Sequence, residues 1–368
     1  MEGDPLPEEV TLENWTHYPY LRWGFLNTRE LVPTAPIDRG TGPVLELPAE
    51  PRPVEELRLT AGDGSETTVG DVLGEHADGY IVVHRGRVVA EHYRDDFGPD
   101  SPHLLQSVSK SIAGSLAGIL VGEGILDPAD AVTDHVPELA GGAFDGATVR
   151  HVLDMRTGTA YSEEYLDPDS DVRITEELGG WRPLRPGRPY DSVYEQIAAL
   201  GNARRHGELF DYRSILTDLL AWIMERATGT SYPELLGAKL WSRMGAEHSA
   251  EVTVRDGIAM ADGGVCATLR DLARFGLLHL GDPALAPPLI PEAWLEDTRG
   301  GAGYRNQWWV LDRDRFHARG IHGQLCHVDV PAQLVCAKLA THPLPVDERL
   351  LIDTLSALAA SARFLSDG

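Results

Sequence analysis

The sequence predicts an α+β protein in which an antiparallel sheet is flanked by helices and interrupted by a mainly helical lobe. Three observations carry this expectation. A β-rich hairpin lies near residues 79–93, helical periodicity dominates the middle of the chain, and three more strand-like segments precede a closing helix. Such an order makes the sheet domain discontinuous, residues 1–106 with 262–368, around an inserted lobe at 107–261.

Residues 1–52 are rich in proline and carry Trp15, Tyr18, Tyr20 and Trp23, which predicts an irregular arm pinned by aromatic anchors. Gly79–His84 and Val88–Tyr93 are apolar runs around Arg85-Gly86-Arg87, a hairpin pattern. From Ser107 the period changes. Val108, Ile112, Leu116, Ile119 and Leu120 recur at helical spacing until Gly122 and Gly124. A second helix starts near Ser214 and stops at Gly229, a third covers about 265–280, and a fourth runs from Val346 to about Leu365. The strand-like segments are Gln307–Leu311, Cys326–Val330 and Leu334–Ala340.

With 368 residues, 42% hydrophobic and 24% charged, the composition is that of a globular protein. A net charge of −25 opposes binding to nucleic acid or to an anionic membrane surface. No apolar run approaches the roughly 20 residues that span a bilayer. Met1-Glu2-Gly3-Asp4-Pro5 lacks the basic and apolar pattern of an export signal, so a cytoplasmic location is expected. Cys266, Cys326 and Cys336 are widely spaced and odd in number, which predicts reduced, buried thiols. Asp167-Pro168-Asp169-Ser170-Asp171 imitates a calcium loop but has Val172 and Leu178 where glycine and glutamate are needed. Neither a metal nor a cofactor is expected.

The chain holds only three lysines, Lys110, Lys239 and Lys338, in a basic complement of 32. Lysine can lose its proton where arginine cannot. Lys110 follows Ser107 by three residues, so one helical face brings hydroxyl and amine together as nucleophile and base. At a helix start the Ser107 backbone N–H also has no intrahelical acceptor and suits an oxyanion. Tyr212, just before the helix at 214, would be pushed toward phenolate by a nearby lysine and serve as acid or base. In Gly320-Ile321-His322-Gly323-Gln324, Gly323 permits close approach of substrate and a strand N–H completes the oxyanion site. His322 alone is more often a structural histidine.

These residues, in this order, resemble the serine β-lactamase and penicillin-recognising enzyme superfamily from about residue 78 onward. Gly124-Ile125-Leu126-Asp127-Pro128, Val149–Gly158 and Gly263–Ala273 add to the likeness. Within it the chain resembles the class C, family VIII esterase and 6-aminohexanoate-dimer hydrolase branch, through Tyr212-Arg213-Ser214, Leu153–Gly158 and Ser162–Pro168. The resemblance implies a β-lactamase/transpeptidase-like fold and an acyl-enzyme mechanism on small linear amides or esters, with Ser107, Lys110 and Tyr212 catalytic. It implies that Tyr165 and Trp181, on a flap loop of the lobe, close over the substrate. Ser214, His322, Gly323 and Gln324 complete the expected substrate-binding set. Ser214 stands where β-lactamases carry asparagine, and Lys-Thr-Gly is missing, so strong β-lactamase activity is not expected. A plain carboxylesterase, a weak β-lactamase or D-aminopeptidase, and a non-catalytic binding protein on the same fold are the alternatives. A homodimer is implied by family analogy alone.

Overall fold

The computed structural model describes residues 7–94 and 96–367. The export-signal reading of Met1–Pro5 lies outside the described residues. The main sheet has seven antiparallel strands, in the spatial order Gly303–Arg305, Trp308–Val310, Arg315–Gly320, Gln324–Asp329, Leu334–Ala340, Ala77–His84, Arg87–Tyr93. The expected hairpin closes on Arg85 and Gly86, both with positive φ (51° and 74°), the backbone that a right-twisted two-residue turn requires. The chain then leaves the sheet for about 200 residues and returns at Gly303. The expected antiparallel sheet flanked by helices is what the chain forms.

The helix capped by Ser107 spans Val108–Gly122 and is buried along nearly its whole length. Its glycines permit the close packing. A Cβ on Gly114 would sit 2.2 Å from the Asn306 carbonyl oxygen, and one on Gly118 would run into the Trp294 ring. Beside it lies the helix Ile215–Thr228, which ends on the left-handed Gly229. These helices share the largest apolar cluster with Leu269–Leu277. The C-terminal helix Glu348–Ser366 covers the other sheet face through Ala357, Leu358, Ala362 and Leu365.

Three expectations need correction. Arg315–Gly320 is a central strand that the sequence reading passed over, because Arg315, His317 and Arg319 alternate with Phe316 and Ala318 and blur the apolar pattern. The expected helix at 265–280 begins as a strand, Val265–Ala267. Thr268 then accepts the Asp271 backbone N–H through its hydroxyl at 3.2 Å and starts the helix there. The N-terminal arm is not wholly irregular. Thr34–Ile37 pairs with Ala250–Arg255 in a smaller sheet completed by Val265–Ala267, His103–Leu104 and Ile258–Ala259. Trp15 anchors the arm with no exposed surface, whereas Tyr18 is 61% exposed and anchors nothing.

Candidate active site

The candidate site lies where the start of helix Val108–Gly122 meets the end of strand Arg315–Gly320. Gln106, directly before Ser107, is buried with φ 48°, a left-handed conformation that turns the chain sharply into the helix. Ser107 occupies the N-cap position but makes no side-chain cap bond. Its Oγ instead accepts a hydrogen bond from Lys110 Nζ at 2.8 Å. Lys110 is 1% exposed and also donates to the Asp262 carbonyl at 2.7 Å, with the Asp262 carboxylate 3.8 Å away.

Tyr212 lies over this pair, the Lys110 Nζ 5.3 Å from its ring centroid, and stacks on Trp309 at 5.4 Å. Burial pushes the Tyr212 phenol up from its ordinary range, against the pull of the Lys110 charge. Burial also works to lower Lys110, but Tyr212, Asp262, Glu163 and Asp218 outweigh it and hold the amine above its ordinary value. The resting site therefore favours an ammonium beside a neutral phenol.

Three carboxylates surround the lysine. Glu163 accepts the Tyr165 hydroxyl at 2.7 Å, the Ser214 backbone N–H at 2.8 Å and the Ser214 hydroxyl. Asp218 accepts the Asp262 backbone N–H at 3.1 Å. Its Oδ2 and the Asp262 Oδ1 have no hydrogen-bond partner among the described residues. Burial drives both aspartates up, Asp218 far above the usual carboxylate range. Sequence reasoning missed Glu163, Asp218 and Asp262, since none stands in a spacing that signals chemistry.

A cavity of about 210 Å³ opens on Ser107, Glu163, Tyr165, Tyr212 and Trp309 and continues along Ile321 and Gly323 toward the C-terminal helix. A second, of about 20 Å³, lies between Ser107, Tyr165, Ser214, Glu176, Trp181 and Asp262. Tyr165 borders both. Trp181 is 4% exposed, with its indole N–H on the Thr253 hydroxyl at 2.9 Å and its carbonyl accepting from the Trp15 indole at 2.7 Å. It is a tethered wall here. Glu176, on the helix Asp171–Leu178, is paired to Arg173 at 2.7 Å and to Arg182.

The glycine-rich segment departs from expectation. His322 has φ 61°, donates its backbone N–H to the Pro345 carbonyl and bonds the His342 carbonyl through Nδ1 at 2.7 Å. Burial lowers it to about 4, and its ring lines neither cavity, so it holds the turn rather than the substrate. The Gln324 side chain pairs with the Ala340 carbonyl at 2.6 Å and N–H at 3.1 Å, so only its surface reaches the cavity. Gly323 (φ 96°) lines the cavity, but what its missing Cβ avoids is the His342 ring. The glycine that approaches Ser107 is Gly320, where a Cβ would lie 3.0 Å from the Ser107 nitrogen and 2.7 Å from the Leu105 oxygen.

The remaining features are neutral as to chemistry. Cys266, Cys326 and Cys336 are buried and unpaired. Among the described residues no helix is long and apolar enough to cross a membrane, and no group of three or more potential ligands could hold a metal ion. Asp171 of the calcium-like loop accepts the Ser162 backbone N–H at 2.7 Å, and Asp169 pairs with Arg185.

Comparison with known proteins agrees with this geometry. The sequence pattern of the Beta-lactamase family matches residues 72–361. A 6-aminohexanoate-dimer hydrolase of Paenarthrobacter ureafaciens is 38% identical, over 96% of this chain and 95% of its own length. A solved structure from Bacillus anthracis, provisionally described as a 6-aminohexanoate-dimer hydrolase, superposes with a TM-score of 0.91 at 24% identity and covers 99% of both chains. A family VIII carboxylesterase structure gives 0.60 at 16% identity, over 80% of this chain and 96% of its own. The chain belongs to the Beta-lactamase family and is a serine hydrolase of the amidase and esterase kind.

Proposed function

We propose that the chain cleaves small linear amides and esters, 6-aminohexanoate oligomers among them, through an acyl-enzyme on Ser107. The observation that carries this reading is the Lys110 amine, buried and bonded to the Ser107 hydroxyl at 2.8 Å beneath the Tyr212 ring. Lys110 acts from its minority neutral form, whose share grows as pH rises, and the Asp262 carboxylate 3.8 Å away favours the ammonium. The Ser107 oxygen then bonds the carbonyl carbon while its proton moves to the lysine amine. The carbonyl oxygen becomes an oxyanion facing the Ser107 N–H and the backbone at Gly320 and Ile321, each such donor worth about 3–4 kcal/mol. Collapse breaks the carbon–nitrogen or carbon–oxygen bond, and the leaving amine or alkoxide takes a proton from the Tyr212 phenol. The Lys110 ammonium returns its proton to the Tyr212 phenolate. Water then adds to the acyl carbon with its proton taken by Lys110, while Ser107 leaves with a proton from Tyr212. Tyr165 and Trp181 border the substrate, while Ser214 acts through Glu163.

The domain division expected from sequence, a sheet unit of 1–106 with 262–368 and a lobe of 107–261, remains the reading to use. The strand Ala250–Arg255 falls within that lobe and ties it to the arm. Three unpaired thiols suit a reducing compartment and support a cytoplasmic location. A second copy as partner rests on family analogy, and light scattering during gel filtration tests it. The function is tested by assaying 6-aminohexanoate dimer beside p-nitrophenyl acetate, with intact-mass detection of the acyl adduct. Both substrates should turn over and Ser107→Ala should abolish adduct and turnover alike. Ester turnover without amide turnover would leave a carboxylesterase, and turnover surviving in Ser107→Ala would overturn the assignment.

A further inference from the structure

The main cavity does not end at the catalytic groups. It runs on between Leu325 of the sheet and Val346, Leu350 and Leu351 of the C-terminal segment, and its lining includes Lys338 and His342. Lys338 lies on strand Leu334–Ala340, opposite Leu325 and Tyr80, and is 1% exposed. Its ammonium reaches only two backbone carbonyls, Glu75 at 3.3 Å and Val72 at 3.5 Å, where the helix Val69–Gly74 ends. Those are long contacts for a charged donor. Among the described residues no carboxylate lies within 4 Å of it, and the nearby Glu75 carboxylate is paired with Arg349 at 2.8 Å. The His342 Nε2 is buried and has no partner among the described residues, and the Lys338 charge is among the causes that keep this ring neutral. The cavity lining that holds Leu325, Leu350 and Leu351 thus also holds a buried cation and an unused ring nitrogen, besides Arg319, which lies over the Trp309 ring. The acidic groups along it are otherwise engaged. Asp347 accepts the Leu350 backbone N–H at 3.1 Å, and Glu348 faces Arg319 at 4.0 Å.

We propose that this passage is a substrate slot for an unbranched chain ending in a carboxylate, with Ser107 at one end and Lys338 and His342 receiving the carboxylate at the other. The proposal rests on the reading of Ser107 as nucleophile and narrows its substrates to chains with an anionic terminus, as in ω-amino acid oligomers. A carboxylate supplies the charge-assisted partner that Lys338 lacks, and His342 donates to it in its Nε2–H tautomer. Burial lowers Lys338 to about 8, so the amine is still mostly protonated at neutral pH.

The test is equilibrium titration of the full chain with hexanoate and with hexanamide, which differ in charge and hardly in shape. Hexanoate should bind about tenfold more tightly, as a charge-assisted contact requires. In Lys338→Met that preference should fall to about one. Leu351→Trp, which fills the slot from the C-terminal helix, should weaken both ligands. Equal binding of the two to the wild-type chain, or a preference that survives Lys338→Met, overturns the proposal. If Lys338→Met does not fold, the wild-type preference and Leu351→Trp decide alone. Turnover of p-nitrophenyl acetate on the same preparation separates the two readings. Its absence would remove the nucleophile assignment, whereas hexanoate preference stands or falls by itself.

Discussion

Lys110 and Lys338 are each 1% exposed, yet their protons are held in opposite ways. Lys110 is held above its ordinary value and Lys338 is lowered to about 8. Desolvation acts on both and disfavours the ammonium. What differs is the surroundings. Around Lys110 stand Tyr212, Asp262, Glu163 and Asp218, whereas Lys338 has two distant carbonyls and the remote Glu75 carboxylate, itself paired with Arg349. Depth alone does not set a lysine's protonation. Its neighbours do, and they hold the Lys110 proton more firmly than the Lys338 one. Lys239, the third, is a surface ion pair with Glu123 at 2.6 Å.

The largest effect should come from exchanging the lysine's chemistry while keeping its charge. Lys110→Arg retains the cation but cannot give up a proton, so turnover of p-nitrophenyl acetate should fall about 10³-fold, much as in Lys110→Met. An arginine variant with a tenth of wild-type activity would mean that charge, not proton transfer, is what the site needs. A smaller effect concerns pH. A base whose pKa is raised is mostly protonated near neutrality, so kcat/KM should climb as pH rises into the alkaline range. Asp262→Asn removes one of the acidic neighbours and should move that limb to lower pH. A profile that is flat above neutrality, or a limb unmoved in the variant, would contradict the charge assignment.

The smallest expected effect is on stability. The Asp218 carboxyl is raised by burial, so the folded state binds its proton more firmly than the unfolded chain does. Stability is then full below the ordinary carboxylate pKa and is lost as pH rises through the folded one. Asp218→Asn should therefore gain about 1 kcal/mol at pH 8, shrinking to nothing at acid pH, as read from denaturant midpoints. Destabilisation at pH 8 would show that the charge on Asp218 is needed by the fold.

Sequence patterns reveal those parts of this protein whose cause is local. The hairpin at Arg85-Gly86 and the helix stop at Gly229 follow from backbone chemistry of single residues. Ser107 and Lys110 are three apart on one helix, so their meeting follows from helical geometry alone. The remainder depends on contacts between distant segments. Glu163 meets Ser214 across 51 positions, Asp218 meets Asp262 across 44, and Gly320 reaches the Ser107 nitrogen only through strand placement. The strand Arg315–Gly320 was hidden because Arg315, His317 and Arg319 break its apolar run, and His317 is buried although polar. His322 and Gln324 stand in the right stretch, but a histidine at positive φ and a glutamine closing a strand end give no sign of which way they turn.

The family pattern begins at residue 72, while the wall of the active site is held from before it. Trp15 grips the Trp181 carbonyl, and Thr34–Ile37 pairs with the strand whose Thr253 grips the Trp181 indole. The arm thus acts as a brace on the substrate's surroundings and touches none of the reacting groups. Grafting the arm from one relative onto another would be a route to altered substrate choice with the reaction itself left intact.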